Sequence, residues 1–130
     1  MEKQRVTHPQ RDPDFSTGAY SDGVVCGDLL FVSGQAAVDF ANNTFKLGTI
    51  EEETRLTLEN IKAIASQVGL TLDDVLKCTV HLADINDFAR YNEVYASYFT
   101  GIKPARTTVQ SVLAEGLKVE IDAIFTMPAK

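Results

Sequence analysis

The side chains best suited to chemistry lie in the last quarter of the chain. Arg106 and Thr108 occupy alternate positions of the apolar-flanked stretch Arg106 to Val112, and Glu120 lies in the alternating stretch Leu117 to Phe125. A guanidinium fork binds a carboxylate through two parallel N–H bonds, and a carboxyl group in a partly desolvated cleft can pass protons between a water and a leaving amine. Arg106 with Glu120, supported by nearby hydroxyls, therefore carries the parts of a reaction on a small anionic substrate. If the two stretches form a hairpin of even register, Arg106 and Glu120 fall on the same side of it. The competing reading is a solvated sheet face bearing an ordinary surface ion pair.

Other chemistries find less footing. His8 and His81 are isolated, and Cys26 and Cys78 have no partners at zinc-like spacing, so no metal is expected. Gly18, Gly23, Gly27 and Gly34 match neither the dinucleotide fingerprint nor the P-loop, which disfavours a nucleotide cofactor. Ser33 is followed by Gly34, but Phe31 stands where a nucleophile elbow needs a second glycine. His81 reads as a polar-face strand residue rather than the base of a triad, and Cys78 as an inert apolar-face residue.

The elements that must position Arg106 and Glu120 follow from periodicity. Residues 1–19 are polar, carry Pro9 and Pro13, and read as an arm or loop. Val24-Val25 and Leu29 to Val32 are two strands around the turn dipeptide Gly27-Asp28. Thr49 and Glu52 form a capping box for a first helix. Its apolar face carries Leu58, Ile61, Ala65 and Val68, and Gly69 ends it. Residues 75–83 alternate, with Leu76, Cys78, Val80 and Leu82 pointing one way and Lys77, Thr79 and His81 the other. Asp84 can cap a second helix, whose stripe of Phe88, Tyr91, Tyr95 and Phe99 reads as core packing. Two closing strands give the order β-β-α-β-α-β-β: an α+β domain with a mixed sheet and two helices on one face.

The totals agree with one domain over residues 1–130. A formal charge of −6, with dispersed Lys and Arg, opposes nucleic acid and anionic membranes as partners. The first 20 residues hold no apolar signal core and no run reaches membrane-spanning length, which points to the cytoplasm.

Pro104-Ala105-Arg106-Thr107-Thr108-Val109 followed by Val119-Glu120-Ile121-Asp122-Ala123 resembles the C-terminal signature of the RidA/YjgF (reactive intermediate deaminase) family. Gly18-Ala19-Tyr20-Ser21 is similar to that family's Gly-Pro-Tyr-Ser, Phe31-Val32-Ser33-Gly34-Gln35 to its Ser-Gly-Gln strand, and Asp87-Phe88 through Asn92 and Tyr95 to its second helix. The resemblance implies a chorismate-mutase-like subunit, assembled as a homotrimer with clefts at the subunit boundaries. It further implies cofactor-free hydrolysis of 2-iminopropanoate and 2-iminobutanoate to 2-keto acids and ammonia. Arg106 would grip the substrate carboxylate, while Glu120 and Thr108 would hold water and transfer a proton. Tyr20 from a neighbouring subunit, with Ser33, Gly34 and Asn92, would line or brace the cleft; Ser33 and Asn92 also have a purely structural alternative. The chain departs from the family pattern in carrying Thr108 where Cys is usual, Ala19 for Pro, Ala114-Glu115-Gly116 for a Leu-Pro turn, and an atypical arm. A deaminase for a larger imine and a non-catalytic ligand-binding trimer are the alternatives. The ribonuclease activity attached to some relatives lacks electrostatic support here.

Overall fold

Alternation along the last strand decides where the sheet lies. Val119, Ile121, Ala123 and Phe125 are fully buried, while Glu120, Asp122 and Ile124 between them are half-buried. Such a strand belongs in the middle of a sheet with helices on one face only. The computed structural model, which describes residues 1–15 and 18–128, has that architecture.

In chain order the elements are β1 (Gln4–Val6), β2 (Gly23–Cys26), β3 (Leu29–Gln35), β4 (Val38–Asp39), β5 (Thr44–Phe45), α1 (Ile50–Ser66), β6 (Val75–Leu82), α2 (Phe88–Tyr98), β7 (Ala105–Gln110) and β8 (Val119–Thr126). Six of the strands form one sheet in the order β1-β2-β3-β8-β6-β7, with β6 and β7 parallel and every other neighbouring pair antiparallel. Both helices pack together, and α1 lies against β3 and β8. The α+β order expected from the sequence holds for its main elements. The structure adds β1, inside the arm that read as a loop, and the small ribbon β4–β5. Three residues of β1 are too few to show a period, yet Val6 is buried and pairs with Gly23.

The helix signals are realised as hydrogen bonds. Glu52 N donates to Thr49 Oγ1 at 3.1 Å, Thr49 N donates to Glu52 Oε1 at 2.9 Å, and Gly69 adopts the left-handed φ of 75° beyond the helix end. Asp84 caps the short 3-10 turn that leads into α2, accepting from Asn86 N at 2.9 Å.

Two strand expectations are corrected. A register shift between Val75 and Lys77 turns Leu76 outward, where it is 48% exposed, and puts Val75 into the core instead. More consequentially, β7 and β8 are not a hairpin. The α2 crossover brings β7 alongside β6 in parallel, and β8 pairs with the other edge of β6, so that β6 separates them.

The entry to β8 is fixed by a buried carboxylate. Glu53, on α1 and fully buried, accepts from Lys118 N at 2.9 Å, Lys118 Nζ at 3.1 Å and Gly48 N at 3.1 Å. Removing it leaves these donors without their acceptor. Glu53→Leu is expected to lower the unfolding free energy by about 2–4 kcal/mol, measured by urea titration with an unchanged m-value.

Candidate functional site

The ladder registers determine which side chains share a face. Arg106 pairs with Cys78, which pairs with Ala123, and Thr108 pairs with Val80, which pairs with Ile121. Arg106 and Thr108 therefore emerge on the helix-covered face, at the sheet edge. Glu120 pairs with His81, which pairs with Val109, and these lie on the opposite face. The same-side placement expected from a β7–β8 hairpin is thus overturned: within one chain the candidate residues form two separate half-sites.

The first half-site is built by β7 and α2. Arg106 Nη1 donates to Asn92 Oδ1 at 2.7 Å. Its Cζ lies 5.5 Å from the ring centroid of Phe88, 5.5 Å from that of Tyr91 and 4.8 Å from that of Tyr95. Ring faces attract the guanidinium without neutralising it. Among the described residues Arg106 forms no ion pair. A half-buried cation held by one amide oxygen and three rings keeps donors available for an anion. Tyr91 also reaches Thr108, with 2.9 Å between the hydroxyl oxygens. Burial pushes the ionisation of Tyr91 and Tyr95 upward, so both remain neutral phenols. Cys78, behind them, is buried and its thiol is likewise raised by burial, consistent with an inert role.

The structure brings together Arg106, expected from its residue type, with Thr108 and Asn92, expected from the family resemblance, and sets against them the aromatic stripe expected only as core packing. Tyr91 and Tyr95 are indeed buried, and their rings serve both purposes. The available signal was an arginine on the same sheet face as a helix rich in aromatic residues.

The second half-site surrounds Glu120 on the polar face. An open cleft of about 470 Å³ is lined by Glu120, Gly34, Ser33 and Tyr20 together with Arg11 and Phe15 of the arm, Phe40 and Phe45. Gly34 sits at a bulge where the β3–β8 register shifts, and a Cβ there would lie 2.7 Å from Glu120 Oε2. Only a residue without a side chain lets the carboxylate rest across this backbone. Ser33 donates from Oγ to Ser21 O at 2.6 Å and from N to Asp22 O at 2.9 Å, which is a bracing role for that residue. His81 Nδ1 lies 2.8 Å from Ser111 Oγ.

The arm is pinned against this cleft. Arg11 holds the buried Asp22 through Nε at 2.7 Å and Nη2 at 2.6 Å, and its Cζ lies 4.8 Å from the Phe40 ring centroid. His8 stacks on Phe40 with ring centroids 3.9 Å apart, and its Nε2 lies 3.2 Å from Asn60 Oδ1. Asn60 in turn donates to Ala36 O at 3.2 Å and Val38 O at 2.9 Å, tying the arm to the segment after β3.

A mixed six-stranded sheet with both helices on one face makes this an α+β protein. Residues 12–127 match the family model described as Endoribonuclease L-PSP. A RutC family protein of Pyrococcus horikoshii is 47% identical over 82% of this chain and 86% of its own length. The 2-iminobutanoate/2-iminopropanoate deaminase of Rattus norvegicus is 41% identical over 82% of this chain and 79% of its own. The crystal structure of E. coli TdcF with bound serine superposes with a TM-score of 0.86 at 36% identity, covering 96% of this chain and all of that one. The chain belongs to the RidA/YjgF family, which includes reactive intermediate deaminases.

Two outcomes are expected. Gly34→Ala should move the Glu120 carboxylate while sparing the fold, seen as a shifted Glu120 carboxyl carbon resonance with a melting midpoint lowered by less than about 4 °C. Burial, the largest influence on His8, lowers its pKa below that of the unfolded chain, so the unfolded state takes up the proton first. Stability therefore falls as pH drops below about 6.5. His8→Gln should reduce the decline in melting midpoint between about pH 6.5 and 5.

Proposed function

We propose that this chain is a single-domain subunit of a homotrimeric, cofactor-independent deaminase that hydrolyses 2-imino acids at sites shared between subunits. The observation that carries the reading is the unneutralised Arg106 guanidinium, half-buried among three rings and Asn92 at a sheet edge. It is suited to the carboxylate of a small substrate. Because Glu120 lies on the other face of the same sheet, a second copy must bring its Glu120 cleft to the Arg106 half-site. The polar face of the sheet is the natural surface for that contact. The family's deaminases support the substrate class, 2-iminopropanoate and 2-iminobutanoate.

In this reading Arg106 orients the substrate by its carboxylate, with Asn92 holding the guanidinium. Glu120 takes a proton from water as the water oxygen bonds to the carbon of the protonated imine, and returns that proton to the amino nitrogen of the tetrahedral intermediate. It then takes the hydroxyl proton as the carbonyl forms and the carbon–nitrogen bond breaks, handing it to the departing ammonia. Imino acid and water become 2-keto acid and ammonia, and the named side chains supply every charge and proton transfer. Thr108 adds a hydroxyl to the Arg106 side, while Gly34, Ser33 and Tyr20 shape the Glu120 side. The aromatic walls Phe15, Phe40 and Phe45, and the 470 Å³ cleft, favour as a second reading an imine with a larger side chain. A charge of −6 gives RNA little attraction.

The test is keto-acid release from imines generated in situ by threonine dehydratase or an amino-acid oxidase. Arg106→Ala is expected to lower kcat/KM by about a hundredfold or more, because it removes a charged hydrogen-bond partner from a desolvated site. Arg106→Ala and Glu120→Gln proteins, each inactive alone, should regain about a quarter of the wild-type activity when refolded together, since a shared site can combine the two intact halves. No recovery would overturn the reading of a site shared between subunits.

A further inference from the structure

Arg106 and Thr108 are both held by one residue of α2. The Tyr91 ring centroid lies 5.5 Å from Arg106 Cζ, and the Tyr91 hydroxyl lies 2.9 Å from Thr108 Oγ1. Tyr91 is fully buried, whereas Thr108 is half-buried at the sheet edge, on the same face as Arg106 and two residues along the strand. That spacing puts the two side chains about 7 Å apart, within reach of one small ligand.

A hydroxyl pair can be polarised in either direction. Thr108 cannot donate both inward and outward, because it has one proton and two lone pairs. A phenol is a much stronger acid than an aliphatic alcohol, and so the better donor. Tyr91 is enclosed in the core with Thr108 as a hydrogen-bond partner of its hydroxyl, whereas Thr108 is half-buried at the sheet edge beside Arg106. Donation from Tyr91 to Thr108 satisfies the buried group and leaves the Thr108 proton for a ligand outside.

We propose that Tyr91 is a positioning residue: its hydroxyl donates to Thr108 Oγ1, so that Thr108 donates outward to an acceptor atom on the ligand whose carboxylate Arg106 holds. The inference rests on the deaminase reading of this half-site and adds to it a direction and a requirement. The edge of the site presents two donors in line, guanidinium and hydroxyl, between which a small ligand can lie, and selects ligands with a second acceptor on the carbon next to the carboxylate. The keto oxygen of the product and the nitrogen or hydroxyl oxygen of the tetrahedral intermediate qualify. The Tyr91 ring fixes the Arg106 side, its hydroxyl the Thr108 side, and one rigid phenol keeps their relative geometry.

The experiment is a double-mutant cycle of Tyr91→Phe and Thr108→Val on 2-iminobutanoate hydrolysis. Tyr91→Phe keeps the ring under Arg106, so KM is expected to change by less than about twofold while kcat falls about three- to tenfold. The double variant should be no slower than Thr108→Val alone. Wild-type kcat in Tyr91→Phe, or multiplying effects in the double variant, would overturn the inference. If wild type turns over no imine, the deaminase reading fails by itself, and the same cycle run on the dissociation constant of 2-oxobutanoate decides this one: coupled losses support it and independent losses refute it. A measurement on the unaltered protein guards against misfolded variants. The Tyr91 hydroxyl proton should be visible by NMR, in slow exchange and close to the Thr108 β-proton, whereas a Thr108 hydroxyl proton directed into the core would overturn the assignment.

Discussion

Strand β8 has hydrogen-bonded neighbours on both edges and helices on only one face, and the rest of the molecule depends on this asymmetry. A central strand has no free edge through which to adjust, so its register is fixed from both sides. Its inward residues are committed to the core with α1. Its outward residues, Glu120 and Asp122, are consequently held on a rigid, polar surface that the chain's own helices do not cover. A carboxylate placed in this way is well defined in position without being deeply buried.

The opposite arrangement holds at β7. As an edge strand it is paired on one side only, and Arg106 gains its definition from α2 rather than from a second strand. Aromatic rings suit that role because they pack with the core as apolar bodies and present their faces to the cation. A carboxylate partner would have fixed the guanidinium equally well but would have used the charge that a ligand needs. Tyr91 and Tyr95 thus pack in the core and face the guanidinium at once, with the more exposed Phe88 also against the cation.

Most of the fold was legible because its signals are local. The capping box at Thr49 and Glu52, Gly69 beyond α1 and the alternation of β8 are each read within a few residues and reappear as specific hydrogen bonds or burial. The faces of Arg106 and Glu120 were not legible in this way, because they depend on β6 coming between two strands that are adjacent in sequence. The short connection through Ala114 and Gly116 suggested a hairpin; only the parallel pairing delivered by α2 rules it out. Residue type singled out Arg106, and only the family resemblance pointed to Thr108 and Asn92, while the ties of His8, Arg11 and Phe40 join positions far apart in the chain and left no periodic trace.

The close approach of Glu120 to Gly34 also constrains how this surface can diverge. A side chain at position 34 and a glutamate resting across it at position 120 compete for one volume, since 2.7 Å separates the Cβ position from the carboxylate oxygen. A lineage that replaces Glu120 with a shorter residue thereby frees position 34 to accept alanine or serine. A lineage that changes position 34 first displaces the carboxylate before any substitute for it exists. The two positions are therefore sterically coupled, so that what position 34 can carry depends on the reach of the side chain at position 120.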